Sequence, residues 1–302
     1  MTQVAYQQPA QEPPHIVVKK KSSLGKVVKL FKKYPMIPLG GFMVFVLIVV
    51  ALFATPLSTH DPIHQYTSGL SAMGTPVGPT HQFLLGTDSL GRDVYSRVIH
   101  GTTVSLTVGV FASFISLVIG VSLGVISGFF GKWIDTVIMR ITDIILAFPF
   151  LLFVIALVAV LKPSVTNVYV AIGVLGWAQM ARVVRGEVLK VRESEYVQAA
   201  RSFGTPSFFI IIQEVIPNIM APVIVMGTLA VGQNVMLEAA LSFLGIGVQL
   251  PTPSWGNMLQ EGMQVYTMAP WMIYAPGLAL LWATIGFNIL GDGLRDWLDP
   301  TL

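Results

Sequence analysis

The sequence predicts an all-α integral membrane protein with six transmembrane helices. Of its 302 residues, 54% are hydrophobic and only 11% are charged, whereas soluble domains carry about 25% charged residues. The mean hydropathy is +0.72, and the few charges leave apolar gaps that reach the roughly 20 residues needed to cross a bilayer. So few charges cannot cover the surface of two soluble domains, which excludes a soluble enzyme.

The six predicted spans follow one another between charged or loop-forming residues. The first is an apolar helix over 36–56, and an extracytoplasmic segment at 57–101 separates it from the second, which begins near Thr102. Residues 102–290 then form a core of five transmembrane helices. The last four spans cover residues 137–161, 168–189, 218–244 and 270–290.

Basic residues predict the orientation, because short loops rich in Lys and Arg stay on the cytoplasmic side. Among the 18 Lys and Arg residues, six alternating spans place only Arg92, Arg97 and Lys162 outside. The tails at 1–35 and 291–302 are therefore predicted to be cytoplasmic. A signal peptide is the alternative for the first span. Its apolar stretch is longer than the roughly 7–15 residues of a cleavable signal, so we favour an uncleaved anchor.

Glycines inside the second span have two interpretations. The run from Gly120 to Gly124 fits the G-x-S-x-G pattern of a hydrolase nucleophile. That nucleophile joins a strand to a helix, and this run lies inside an apolar span. Gly120, Gly124 and Gly128 stand four residues apart, which favours a small-residue face for close packing against another helix.

A few charges lie within the predicted spans. Arg140 and Asp143 stand three residues apart at the inner end of the third span, within pairing distance on a helix. We interpret them as a structural ion pair or an inner-interface anchor, with a gating role as the alternative. Glu238 lies inside the fifth span, where an ionisable group is costly. Two interpretations of Glu238 stay open. It lies beside a translocation pathway near the outer end, or it pairs internally or caps a break in the span.

The predicted cytoplasmic stretch at 190–217, here called the elbow, has more internal order than a connector needs. Ser194 is placed to cap a short helix, and Gly204 to end it in a left-handed conformation. Thr205 and Pro206 favour the start of a second helix, and Pro217 marks the entry into the fifth span. The sequence therefore predicts a helix–Gly–helix elbow lying against the membrane.

The surface of the first elbow helix has two interpretations. Ala199 and Ala200 have almost no side chain, so a cytoplasmic partner protein can approach this helix closely. Alternatively, the elbow is an amphipathic turn that rests on lipid headgroups. Spacing alone does not choose between them.

Several motifs of this sequence resemble those of a known family of transport proteins. The stretch 196–204, YVQAARSFG, with 215–218, VIPN, resembles the E-A-A loop of permease subunits in ATP-binding-cassette importers. The segments 85–94, 237–245, 251–256 and 291–300 resemble the C-type permease of dipeptide, oligopeptide and nickel importers. The resemblance extends over nearly the whole chain after Pro35, and it implies the type I importer permease fold.

The resemblance also implies partners and site residues. In that family the short loop helix docks into a cleft on the ATPase subunit, and the matching positions here are Gln198, Ala199, Ala200, Gly204 and Pro217. Gln198 stands where the family usually has glutamate. The implied partners are a second related permease, two cytoplasmic ATPases that carry ATP and Mg, an extracytoplasmic solute-binding protein and membrane lipid. The implied location is the inner membrane of a bacterial or archaeal cell.

Sequence features also exclude several chemistries. The chain has no G-x-x-x-x-G-K-[ST] phosphate loop, so we expect it to bind no ATP itself and not to be an enzyme. It contains no Cys, which excludes disulfides and Cys-ligated metal, and we expect no cofactor and no nucleic acid partner. A secondary transporter or channel is the alternative function. It predicts ionisable residues near the middle of several spans, and this chain offers little beyond Glu238.

Overall fold

The structure is a computed structural model that describes residues 33–298. Most of the predicted N-terminal tail and the last residues of the C-terminal tail lie outside the described residues. The described chain is helical, with isolated β-bridges and no strand. Its helices are α1 Met36–Leu52, α2 Ala54–Leu57, α3 Val94–Phe130, α4 Lys132–Ala147, α5 Phe150–Leu161, α6 Val165–Arg192, α7 Glu195–Ser202, α8 Ser207–Ile210, α9 Ile216–Phe243, α10 Trp255–Met263 and α11 Trp271–Leu298, with a 3₁₀ turn at Thr67–Gly69 and a π-helical turn at Ile211–Val215.

Several of these helices can cross a membrane by their length and composition. Four qualify among the described residues, namely α3, α6, α11 and the continuous run Ser207–Phe243. α4 and α5 qualify only together, and they are bent by 91°. α1 is apolar but shorter, at 17 residues. These helices follow the order of the predicted spans and confirm a multi-pass, all-α membrane protein.

The third predicted span, 137–161, is not one continuous helix, which corrects the sequence prediction. α4 ends at Ala147, Phe148 is extended with φ −88° and ψ 144°, and α5 begins after Pro149. Proline lacks the N–H that would continue the helix and disfavours helical geometry in the preceding residue. The sequence therefore contained the signal for the break, in Phe148-Pro149.

Other helix boundaries also differ from the prediction, and α11 continues to Leu298 instead of ending near residue 290. α3 begins at Val94 rather than near Thr102, because the side chain of Asp93 accepts a hydrogen bond from the Ser96 amide at 3.0 Å and caps the helix. α10 forms where no helix is predicted. It begins with a capping box in which Ser254 and Asn257 each accept from the other's backbone amide.

Glycines bring α3 and α6 into close contact along much of their lengths. A Cβ on Gly120, Gly124 or Gly128 would lie 2.5–2.8 Å from the Cβ of Met180, Val184 or Val188, respectively. Such distances leave no room for a side chain. The prediction of a small-residue packing face is confirmed, and the hydrolase interpretation is wrong because the run lies inside one continuous helix.

The segment between α2 and α3 is joined to α10 by buried charges. Arg92 lies 2.6 Å from Asp88 and 2.8 Å from Glu261, while Arg97 lies 3.4 Å and 3.0 Å from the same two carboxylates. Both arginine side chains are at most 5% exposed. Paired in this way, the charges fix the loop against the end of the helix bundle.

Candidate functional site

The elbow has the predicted helix–Gly–helix form. α7 ends at Ser202, and Gly204 adopts φ +78°. The amide of Thr205 donates to the carbonyl of Ala200 at 3.1 Å, which closes the end of the helix. The chain then turns into α8 and continues through the π-helical turn into α9.

Two local details of the elbow correct the prediction, and a third agrees with it. Ser194 precedes α7, but its hydroxyl donates to the Val191 carbonyl at 2.6 Å instead of capping α7, since the last carbonyls of α6 need donors. Pro206, not Thr205, precedes the second helix, because its extended ψ of 140° delays helical geometry to Ser207. Pro217 lies in the first turn of α9, as predicted for the entry into the fifth span, where its missing N–H is not needed.

The inner face of α7 packs into a hydrophobic cluster, here called the elbow cluster. Val197 is fully buried there together with Val188 of α6, Val215 of the π-helical turn and Ile219 of α9. Ala200 packs against the same cluster. The elbow therefore packs against α6 and α9 through buried contacts and is not a free loop.

The outer face of the elbow carries small, polar and aromatic side chains. Gln198 and Ala199 are exposed, and nothing lies within 4 Å of a Cβ built on Gly204. Phe203 is 88% exposed and Phe208 is 68% exposed. A surface with two protruding aromatic rings around small residues has the composition of a protein–protein contact.

Gln198 makes a hydrogen bond that a glutamate could not make. Its Nε2 donates to the backbone carbonyl of Glu193 at 2.9 Å, at the junction between α6 and α7. A carboxylate only accepts hydrogen bonds. Gln198 therefore helps to fix the junction between α6 and α7.

Ion pairs connect α6 to α4 beside the elbow. Asp143 pairs with Arg182 of α6, which corrects the expected pair with Arg140. Asp135 pairs with Arg185 of α6 through both carboxylate oxygens. The physical reason is that α4 and α6 pack against each other, so an arginine across the interface competes with a neighbour on the same helix.

A cavity of about 490 Å³ lies between α3, α4, α5, α6 and α9. Its wall includes Phe150, directly after the break between α4 and α5, and Leu175 of α6. Polar residues from three helices share the lining, namely Ser116, Gln179, Gln233 and Asn234. This midspan cavity is a concave, mixed polar and apolar surface of the size that binds small molecules.

Glu238 is fully buried and does not line the midspan cavity. Its carboxylate oxygens accept hydrogen bonds from Ser105 of α3 and Ser242 of α9, each at 2.7 Å. Ser242 also accepts from the amide of Val248 at 2.9 Å. The carboxylate thus links α3 to the end of α9 and to the loop that follows.

Comparison with known proteins places this arrangement in a family. Residues 120–302 match the profile of a family described as binding-protein-dependent transport system inner membrane component. The chain belongs to that family. The matched region contains the elbow, the residues that line most of the midspan cavity, and Glu238.

Individual members of this family are similar over most of the chain. The dipeptide transport system permease protein DppC of Alkalihalophilus pseudofirmus is 39% identical, covering 98% of this chain and 95% of that protein. The oligopeptide transport system permease protein OppC of Bacillus subtilis is 39% identical, with coverages of 95% and 92%. The glutathione transport system permease protein GsiD of Pectobacterium atrosepticum is 37% identical, with coverages of 87% and 86%.

Membership of the inner membrane component family confirms the resemblance found in the motifs. The relatives are permease subunits, and this chain is accordingly a transport permease rather than the ATP-hydrolysing part of such a system. The polar lining of the midspan cavity was not predicted from the sequence. The available signal was a carboxamide inside a predicted span, as at Gln179 and Gln233.

Proposed function

We propose that this chain forms half of the translocation pathway of an ATP-driven importer for small peptides or similar solutes. A second, related permease completes the pathway, two cytoplasmic ATPase subunits carry ATP and Mg, and an extracytoplasmic binding protein delivers the solute. The relatives named for dipeptides, oligopeptides and glutathione support a solute that carries amide bonds. The complex lies in the inner membrane of a bacterial or archaeal cell.

The proposed topology has six spans and cytoplasmic termini. α1 rises about 26 Å over its length at 1.5 Å per residue, close to the hydrocarbon thickness of about 30 Å, and α2 follows it after a single residue, Phe53. α4 and α5 together make one broken span. This assignment keeps 15 of the 18 basic residues on the cytoplasmic side, three being outside, as the distribution of Lys and Arg in membrane proteins favours.

The observation that carries the proposal is the two-faced elbow. Its outer face, with Gln198, Ala199 and Gly204, is open and flanked by exposed Phe203, so it can enter a cleft on an ATPase subunit. Its inner face is held by Val197 in the elbow cluster. We propose that closure of the ATPases moves the elbow as a rigid body and that this motion passes to α6 and α9.

Ala200 and Pro217 have supporting roles in this proposal. Ala200 packs against the elbow cluster, so its small side chain lets α7 lie close to the bundle. Pro217 lies in the first turn of α9, downstream of the π-helical turn. These two residues set the position of the docking surface and do not form it.

For Glu238 we propose internal pairing rather than contact with solute. Its two serine partners satisfy both carboxylate oxygens, and its side chain is wholly buried. A group held in this way positions the end of α9 and the following loop. It therefore shapes the pathway from outside the midspan cavity.

Reconstitution tests the proposed function directly. The chain is co-expressed with its partner permease and ATPases, placed in proteoliposomes, and supplied with binding protein and a radiolabelled dipeptide or glutathione. We expect uptake that needs ATP, binding protein and all subunits. Uptake by the permeases alone, driven by an ion gradient without ATP, would support a secondary transporter instead.

A further inference from the structure

The midspan cavity contains two carboxamides that lack partners. Gln179 of α6 and Gln233 of α9 both line the cavity and are exposed. Within residues 33–298 neither side chain makes a hydrogen bond. The two helices thus present unsatisfied hydrogen-bonding groups to one shared space.

These glutamines lie deep within the spans, not at their ends. Gln179 is midway between Val165 and Arg192, with about 20 Å of helix on either side. Gln233 lies about 15 Å from Phe243, the last residue of α9. An unpaired amide at this depth is unfavourable against lipid, so these groups face water or a passing molecule.

The other polar residues of the cavity are already occupied. Asn234 donates to Ser113 at 2.8 Å, and Ser116 donates to the carbonyl of Gly173 at 3.0 Å. None of the described lining residues is ionisable. Among these polar lining residues, Gln179 and Gln233 are therefore the ones whose side chains make no hydrogen bond within the described residues, and both are uncharged.

We propose that Gln179 and Gln233 form a contact site for the uncharged amide groups of the solute during its passage. A carboxamide both donates and accepts, as a peptide bond does, so the pair can follow a peptide backbone without selecting the charge of its side chains. The cavity has the volume of a small-molecule site, so its occupant is more naturally a small solute than another tightly packed helix. The inference rests on the proposed function and assigns the site within it.

Leucine substitutions in the full complex test the site. Gln179→Leu and Gln233→Leu replace the carboxamide with an apolar side chain of similar volume, which removes its hydrogen-bonding groups. We expect each to lower dipeptide uptake per ATP hydrolysed by about three- to tenfold, the effect of one lost hydrogen bond. Subunit assembly and ATP hydrolysis stay unchanged.

Two matched variants control for changes to the helix surfaces. Val174→Leu on α6 and Met236→Leu on α9 alter exposed residues outside the cavity lining, and we expect uptake within about twofold of wild type, as for surface substitutions. Gln179→Asn and Gln233→Asn retain the carboxamide. They are expected to recover part of the uptake lost in the leucine variants.

Introducing a charge gives an independent readout. Gln179→Glu should reduce uptake of a peptide with an acidic side chain more than uptake of one with a basic side chain, by about fivefold or more between them. The ratio of variant to wild-type rate is compared for each peptide, so the preference of the binding protein cancels.

Three results would overturn the inference. If the wild-type complex takes up dipeptide and the double leucine variant does so at the same rate, the contact site is excluded and the proposed function is unaffected. Loss of the second permease from the purified double variant would show that the glutamines face that subunit instead. No ATP-dependent uptake by the wild-type complex would overturn the proposed function and the site together.

Discussion

Arg185 of α6 and Asp135 of α4 form a two-point ion pair, with Nε–Oδ1 and Nη2–Oδ2 distances of 2.5 and 2.6 Å. Ser127 of α3 donates to the same carboxylate at 2.5 Å. Three helices therefore meet at one side chain directly beside the elbow. Any motion of α6 that leaves this pair intact carries the beginning of α4 with it.

Asp135→Asn should destabilise the protein because it leaves a partly buried guanidinium without its carboxylate. The two side chains are 31% and 20% exposed, so we expect a loss of about 1–2 kcal/mol in the free energy of unfolding. Thermal unfolding of the detergent-solubilised complex measures it. Lys190→Ala is the control, since its pair with Glu187 is far more exposed and should change stability by less than about 0.5 kcal/mol. Equal effects would contradict the argument.

Gly204 should tolerate asparagine but not valine. Its φ of +78° is unfavourable for a β-branched residue, while a side chain there meets nothing within 4 Å. Gly204→Val should therefore shift the end of α7 and reduce ATP-coupled uptake by about tenfold or more, and Gly204→Asn should stay within about threefold of wild type. Co-purification of the ATPases and the ratio of uptake to hydrolysis are measured together. Full coupled uptake by Gly204→Val would refute a role for this turn.

Gln198→Glu should make ATPase attachment more sensitive to salt. The carboxylate cannot donate to the Glu193 carbonyl, so it turns outward and adds a charge to the docking face. We expect the affinity for the ATPases to fall more steeply between low and high salt than in wild type, because exposed charge pairs are screened. Gln198→Ala, which loses the same hydrogen bond without adding charge, is the control. An unchanged salt dependence would place position 198 outside the contact.

Glu238→Gln and Glu238→Leu separate a structural role from a pathway role. Glutamine can still hydrogen-bond to Ser105 and Ser242, whereas leucine leaves two buried hydroxyls without an acceptor for their hydrogens. We expect Glu238→Gln to retain uptake and Glu238→Leu to lose about 2–4 kcal/mol of stability. If Glu238→Gln selectively lowered the uptake of basic peptides at unchanged stability, Glu238 would instead contact the solute in the pathway.

Local signals in the sequence predicted the elbow and the glycine face, because both depend on short-range rules. Gly204 takes a conformation that few other residues accept, and Gly124 sits on a four-residue repeat. The partner of Asp143 and the environment of Glu238 depended on which helices pack together, and spacing along one helix does not contain that information. Pro149 indicated a helix break, but the apolar residues on both sides of it favoured the prediction of one continuous span. The midspan cavity could not be predicted in this way, because it depends on how five helices are placed relative to one another.

Gly124→Ala and Gly186→Ala make the same change in two helices that pack together and should have opposite effects. A Cβ on Gly124 would lie 2.8 Å from the carbonyl oxygen of Ala181, which is backbone and cannot rotate away. A Cβ on Gly186 meets nothing within 4 Å. We expect Gly124→Ala to cost about 1–3 kcal/mol through overpacking and Gly186→Ala to add up to about 1 kcal/mol through helix propensity. Thermal unfolding of each variant measures the difference, and a stabilised Gly124→Ala would show that α3 and α6 are less tightly packed than the structure has them.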